Sequence, residues 1–365
     1  VELSNCHQIT SLPPLGRLKS LKKLSIKGLS GVKEVGVEFY EDESCFSCLE
    51  TLEIVDMGEW EQWAWSNGLG EDSVAKFPKL YELQIQNCSR LVEKLPNFLS
   101  SLENIVIDNC PLLVELPKVL PSFITLYIRR CQEAFLKSVT NATCLTSLKR
   151  LEIGGCHELV SLVDGEEGLL PCNLEVLDID LCPNLKELPS GLKDLKSLED
   201  LKISQCRSLV SFPVGALPHN LIYLSMENCG SLESLPKGIV CHSNYINLEI
   251  WNCPQLELFS GKELPISSLV SLKIADCQGL RSLSNHMQNF QKLFPEMGLP
   301  NPKLVYFQIH PCKNLRSLPN QMQSLTSLQS ISVSDCGGGI ECSIELKSYY
   351  YSNFYHINLF WGNNL

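Results

Sequence analysis

Positive charge is scarce in this chain. Its 365 residues carry 30 Lys and Arg against 41 Asp and Glu, a formal net charge of −11. Such a chain repels phosphate backbones and anionic membrane surfaces, so nucleic acid is not an expected partner. Long hydrophobic runs are missing as well: polar residues break the apolar stretches every three or four positions, which excludes a membrane-spanning helix. No secretory leader opens the chain. The motifs of nucleotide and hydrolytic chemistry are also absent. There is no G-x-x-x-x-G-K-[ST] phosphate loop, no G-x-G-x-x-G turn, no H-E-x-x-H and no G-x-S-x-G. The one C-x-x-C, Cys45 to Cys48, lacks a nearby second ligand pair for zinc. The 7 histidines are scattered, with no nucleophile that the chain forces against them. The expectation is therefore no catalytic residue, no metal and no cofactor in this chain.

Cysteine, in contrast, is plentiful, at 18 residues. Twelve of these hold one register: Cys6, Cys88, Cys110, Cys131, Cys156, Cys182, Cys206, Cys229, Cys253, Cys277, Cys312 and Cys336. Leu29 and Met57 fill the slot where cysteine is missing. A cysteine recurring once per unit is a packing position, because a free thiol behaves as a small buried hydrophobe. These thiols are expected to be reduced and buried. Asn87-Cys-Ser and Asn141-Ala-Thr match the glycosylation triplet, but Asn87 reads as a strand residue just before its cysteine, a poor glycan site.

Around each cysteine runs one phrase, written LEDLKISQCRSL at Leu198–Leu209 and LEVLDIDLCPNL from Leu174. Successive slots lie 23, 28, 31, 22, 21, 25, 26, 24, 23, 24, 24, 35 and 24 residues apart. That makes about fourteen units over residues 1–336, the first truncated. A period of 20–29 residues with L-x-x-L-x-L-x-x-N/C-x-L is the leucine-rich-repeat signature. The alternating Leu-x-Ile predicts a strand in each unit, with the cysteine ending it. The expected fold is an α/β solenoid, a horseshoe with a parallel β-sheet on its concave face, on the order of 60 Å long. Its convex side should hold irregular turns and short 3₁₀ segments, where the recurrent Leu-Pro pairs sit. No unit buries its own apolar face, so stacking creates the core.

Two units are stretched, with insertions near 58–79, which holds Trp60, Trp63 and Trp65, and near 284–303. Their polar parts read as surface loops. Residues 337–365 leave the register and read as a divergent, poorly ordered tail rich in tyrosine. The opening VELSNC already stands inside the phrase and begins with Val1, which points to a piece of a longer protein.

What remains for function is a surface. The polar positions flanking the strand leucines face the concave side, and exposed aromatics and arginine are the types enriched at binding hot spots. The partner-binding set is Tyr127, Arg129, Asp178, Asp180, Tyr223, Trp251, Tyr306 and His310. Lys202, among Asp178, Asp180 and Asp200, reads as a solvated cross-strand charge cluster.

The segment Cys6–Tyr40 resembles the leucine-rich-repeat region of plant intracellular coiled-coil nucleotide-binding leucine-rich-repeat (NLR) disease-resistance proteins. The features that carry this are Leu12-Pro13, Leu15-Gly16, Leu21-Lys22-Lys23-Leu24 and Val35-Gly36-Val37-Glu38-Phe39-Tyr40. The stretch Met57-Gly58-Glu59-Trp60-Glu61-Gln62-Trp63, and the unit from Phe77 to Cys88, extend it. The resemblance implies recognition and autoinhibition in an immune receptor. The repeats bind a pathogen effector or a guarded host protein, and the receptor's own switch module. It implies ATP or ADP only for that nucleotide-binding module, which the phosphate-loop search does not find here. It also implies a cytoplasmic protein, with nuclear or membrane association through partners. The alternatives are an F-box-type leucine-rich-repeat ubiquitin-ligase adaptor and an extracellular receptor. The outer segments carry L-x-x-L-P rather than a helical half ending in a second cysteine, and the slot holds cysteine rather than asparagine.

Overall fold

The computed structural model describes residues 1–40, 46–64, 76–95, 99–117, 120–140, 145–163, 170–213, 217–235, 246–256, 269–281, 304–315, 327–337 and 342–345. It divides into two compact units, Val1–Leu177 and Asp178–Leu365.

In the first unit one sheet is built from the strands Glu2–Ser4, Lys23–Lys27, Thr51–Val55, Glu82–Gln86, Asn104–Asp108, Thr125–Arg129 and Arg150–Gly154, in that order. Every pairing is parallel and each pairs with the strand of the next repeat, as Leu83 with Ile105 and Ile105 with Leu126. The second unit repeats the plan with Asp200–Ser204, Tyr223–Glu227, Ile246–Trp251, Leu269–Ala275, Tyr306–His310 and Ser330–Val333. The strand Val176–Asp180 lies at the division. This is the leucine-rich-repeat solenoid that the spacing predicts.

The strand residues alternate as expected. Leu201 and Ile203 are buried, while Asp200, Lys202 and Ser204 are half-buried on the opposite face. Each buried Leu or Ile contributes roughly 1.5–3 kcal/mol, and the same two positions recur along the repeats, so within each of the two units the core is an apolar stack. Behind the sheet the chain returns through turns, the short 3₁₀ segments Leu15–Arg17, Val37–Phe39 and Ser190–Asp194, and one eight-residue α-helix, Glu133–Thr140. Two short parallel ladders also form there, Glu34–Val35 with Gln62–Trp63 and Glu93–Lys94 with Leu113–Glu115.

The strand does not end at the cysteine. It ends two residues earlier, and the intervening residue takes a left-handed conformation, with φ of 57° at Asp56, 55° at Asn87, 54° at Asn228 and 66° at Gly28. Asn, Asp and Gly tolerate this region best. Its N–H still donates to the last carbonyl of the next strand, as Asn87 N to Asp108 O at 2.9 Å and Asn228 N to Trp251 O at 2.9 Å. The sheet thus gains one further rung while the chain turns. Asn87 is therefore a turn residue rather than a strand residue; its amide donates to Asp56 Oδ1 at 2.8 Å and its carbonyl oxygen accepts from Asn109 at 3.1 Å. Before Cys312 the slot holds Pro311, whose ring forbids a positive φ; there Asp276 N meets both His310 O and Pro311 O at 3.1 Å.

Fourteen of the described cysteines, from Cys6 to Cys336, are free. In the register the thiol lies under the sheet and donates to the carbonyl two residues back, as Cys206 to Ser204 at 3.4 Å and Cys277 to Ala275 at 3.3 Å. In ten of the repeats the cysteine carbonyl then accepts from the N–H three residues on, closing a turn such as Leu209 N to Cys206 O at 3.3 Å. Burial pushes the thiols of Cys206, Cys277 and Cys312 up to about 12.

The Trp-rich stretch is core. Trp60 and Trp63 are buried with Phe39, Tyr40, Phe46 and Phe77 in a contiguous aromatic cluster. Trp60 Nε1 donates to Gln62 O at 2.7 Å and Trp63 Nε1 to the Tyr40 hydroxyl. Trp65 and the polar part of that insertion lie outside the described residues, as does the 284–303 insertion. Of the tail, the strand Cys342–Glu345 pairs antiparallel with Ser330–Val333, in contrast to the parallel pairings described above; the tyrosine-rich remainder is outside the described residues.

Candidate functional site

The sheet presents its polar face through the first, third and fifth residues of each strand. Not all of these positions reach solvent: Gly154, Ser271 and Ala275 are buried, although the alternation places them on the polar face. The eight expected contact residues all lie at such positions, two in the first unit and six in the second. Tyr127 and Arg129 share a strand of the first unit, Tyr127 half-buried and Arg129 exposed. Arg129 stands in register with Asp108 on one side and Gly154 on the other. The bidentate partner of Asp108 is the next residue, Arg130, at 2.8 and 2.7 Å. Its guanidinium is half-exposed, so this pair contributes at most about 1 kcal/mol.

The other six belong to the second unit. Asp178 and Asp180 are half-buried; Asp180 Oδ1 accepts from the Ser204 hydroxyl and from Gln205 Nε2 at 3.2 Å. Tyr223 is half-buried, and Trp251 and Tyr306 are 42% and 45% exposed. His310 is half-buried, with Nδ1 2.8 Å from Ser334 Oγ. In-register pairing sorts the last four into two rows. Tyr223, Asn247, Ser271 and Tyr306 form one, and Glu227, Trp251, Ala275 and His310 form the other. Neighbours in a row are one strand spacing apart, about 4.8 Å, so Trp251 and His310 lie about 10 Å apart across Ala275.

A polar network links Tyr223 to the middle positions of the neighbouring strands, where Lys202, Glu249 and Lys273 stand in register with Ser225. Lys202 Nζ bonds Asp200 Oδ2 at 3.1 Å and sits 5.4 Å from the centroid of the Tyr223 ring. The Tyr223 hydroxyl donates to Glu249 Oε2 at 2.7 Å, and Lys273 Nζ bonds Glu249 Oε1 at 2.7 Å. Burial, then the hydrogen bond to Glu249, pushes the Tyr223 phenol up to about 12. Burial raises Glu249 too, but the hydrogen bonds from Lys273 and Tyr223 outweigh it and hold the carboxyl below its usual range. Lys202 is thus not merely solvated. It is a half-exposed member of an ordered cluster.

Glu227 and Glu249 escaped notice as contact residues because carboxylates on a strand read as ordinary solvent-facing positions. Only the register reveals that Glu227 stands beside Trp251. Among the described residues no cluster of three or more His, Cys, Asp or Glu is placed to hold a metal. Cys48 of the C-x-x-C is half-buried, and Cys45 is outside the described residues. No helix there is long and apolar enough to cross a membrane.

Such a surface, a regular sheet face with aromatics and charges held at fixed spacing, is that of a leucine-rich-repeat protein. Comparison with known proteins shows what the chain is similar to. The chain is similar to the disease resistance RPP13-like protein 1 of Arabidopsis thaliana, 33% identical over 220 residues, 57% of this chain and 20% of that protein. The disease resistance protein RDL5 is 31% identical over 209 residues, 53% of this chain and 18% of its own, and RPP8 is 44% identical over 78 residues, 21% and 8%. The chain thus spans about a fifth or less of the length of these relatives. No family model matches it. Among solved structures, the leucine-rich-repeat domain of the type III effector XopL aligns with a TM-score of 0.38 at 19% identity, covering 72% of this chain and 73% of that one. A leucine-rich-repeat protein of Leptospira interrogans aligns at 0.36 and 16%, covering 92% and 90%. The chain is a leucine-rich-repeat protein whose curated relatives are plant disease resistance proteins.

Proposed function

We propose that the chain is the recognition and autoinhibition region of a plant immune receptor. It binds a protein, a pathogen effector or a guarded host protein, through the polar sheet face, and it also contacts the receptor's own switch module. The observation that supports this most is the exposure of Trp251 and Tyr306 on a face whose neighbours are held by strand pairing. Large aromatics on a rigid scaffold bind at low entropic cost. On this reading the receptor works in the cytoplasm, with nuclear or membrane association through partners. ATP or ADP belongs to the nucleotide-binding module and not to these 365 residues. The named relatives do not favour the ubiquitin-ligase adaptor.

The test is a titration of immobilised chain with a candidate effector. The triple variant Tyr223→Ala, Trp251→Ala, Tyr306→Ala should weaken binding by about tenfold or more. Unchanged affinity moves recognition to another surface.

A further inference from the structure

Twice on the second unit's sheet face a carboxylate stands in register with an aromatic ring on the next strand. Asp200 pairs with Tyr223, and Glu227 pairs with Trp251. The order is the same, acid first and ring on the following strand. The first pair is filled from within: Lys202 Nζ lies 3.1 Å from Asp200 Oδ2 and 5.4 Å from the Tyr223 ring centroid. The second pair has no such cation among the described residues. The Glu227 carboxylate accepts from the side-chain amide of Asn228, 3.1 Å from Oε1, and Glu227 is exposed. The lysines on the two flanking strands are engaged elsewhere, Lys202 with Asp200 at 3.1 Å and Lys273 with Glu249 at 2.7 Å. The residue in register with Trp251 on the far side is Ala275, too short to reach across the indole.

From this repetition we propose that Glu227 and Trp251 form a receiving site for an arginine side chain of the protein partner. The guanidinium stacks on the indole face and pairs with the Glu227 carboxylate, as the Lys202 ammonium does between Tyr223 and Asp200. Arginine suits this better than lysine, because its planar group stacks and donates two parallel hydrogen bonds at once. The surrounding charge has the matching sign. On the strands from Asp178 to Trp251 the polar face carries Asp178, Asp180, Asp200, Glu227 and Glu249 against Lys202. The proposal rests on the recognition reading above and names the chemistry of what that face takes.

The probe is N-acetyl-arginine amide, titrated into full chain labelled with ¹⁵N at tryptophan, with N-acetyl-citrulline amide as neutral isostere. Trp251→Phe assigns the Trp251 indole signal. That signal should shift saturably with the arginine probe and not with citrulline. Glu227→Gln should weaken the titration about tenfold, as loss of a charge-assisted pair does, while Glu103→Gln, an exposed acid elsewhere, leaves it unchanged. Equal shifts of all tryptophan signals, an equal response to citrulline, no response at all, or indifference to Glu227→Gln each overturns the site. Partner binding provides the second arm. Recognition lost in Trp251→Ala but intact in Glu227→Gln overturns the arginine site and leaves the recognition face standing. Recognition indifferent to the triple aromatic variant overturns the face itself.

Discussion

Tyr223 donates its hydroxyl to Glu249 Oε2 at 2.7 Å, on the strand alongside and two residues beyond its own register partner, Asn247. The same carboxylate takes Lys273 on its other oxygen, so a single acid is held from both neighbouring strands. Such a contact depends on protonation. The phenol, pushed up to about 12 from 10.0, keeps its proton more tightly in the fold. Its contribution to stability is full below about pH 10 and is lost as pH rises towards 12. Glu249, held low, contributes above its ordinary value of 4.5 and ceases to do so as pH falls through its depressed value. An ultraviolet difference titration of wild type against Tyr223→Phe should reveal a phenol ionising near 12; one ionising at the ordinary tyrosine value refutes the hydrogen bond to Glu249.

Thiol reactivity should divide the cysteines by burial. Under native conditions near neutral pH, exposed Cys172 and the half-buried Cys6, Cys48 and Cys336 react first. Cys206, Cys277 and Cys312, at about 12, stay protonated and shielded. Denaturation without reductant should release all 18 as free thiols. A small count there means disulfides and sinks the packing account.

The left-handed slot gives a stability test in both directions. Leu181 occupies it with φ of 52° and is 41% exposed, so it carries backbone strain and little burial. Leu181→Gly should stabilise the fold by about 1 kcal/mol in urea unfolding. Asn87→Ala should destabilise by about 1–2 kcal/mol, through strain and through hydrogen bonds to Asp56 and Asn109 left unmade. Equal effects at the two positions mean that the slot does not discriminate.

Trp60→Ala should cost about 3–5 kcal/mol, because the ring is fully buried against Trp63. Trp251→Ala, in contrast, should leave the denaturation midpoint nearly unchanged, since its ring is 42% exposed. Comparable losses in the two variants erase the distinction between core and contact tryptophans.

The repeat phrase alone determined a great deal. Leu201, Ile203, Cys206 and Leu209 are buried where their spacing puts them, because strand period and turn length are local properties that recur in every unit. The face of Tyr223, Trp251 and Tyr306 followed from the same alternation. What the letters did not reveal were relations between units. That Ala275 and Ser271 are buried on the polar face depends on what the neighbouring strands place over them. The exposed Trp251 and the buried Trp60 are the same residue type, and only packing tells them apart. Likewise, Glu227 lies 24 residues from Trp251 in sequence, and it is the parallel register of two strands that sets them side by side. Sequence period decides which face a side chain takes; its neighbours on that face are decided by register, which only the stacked sheet supplies.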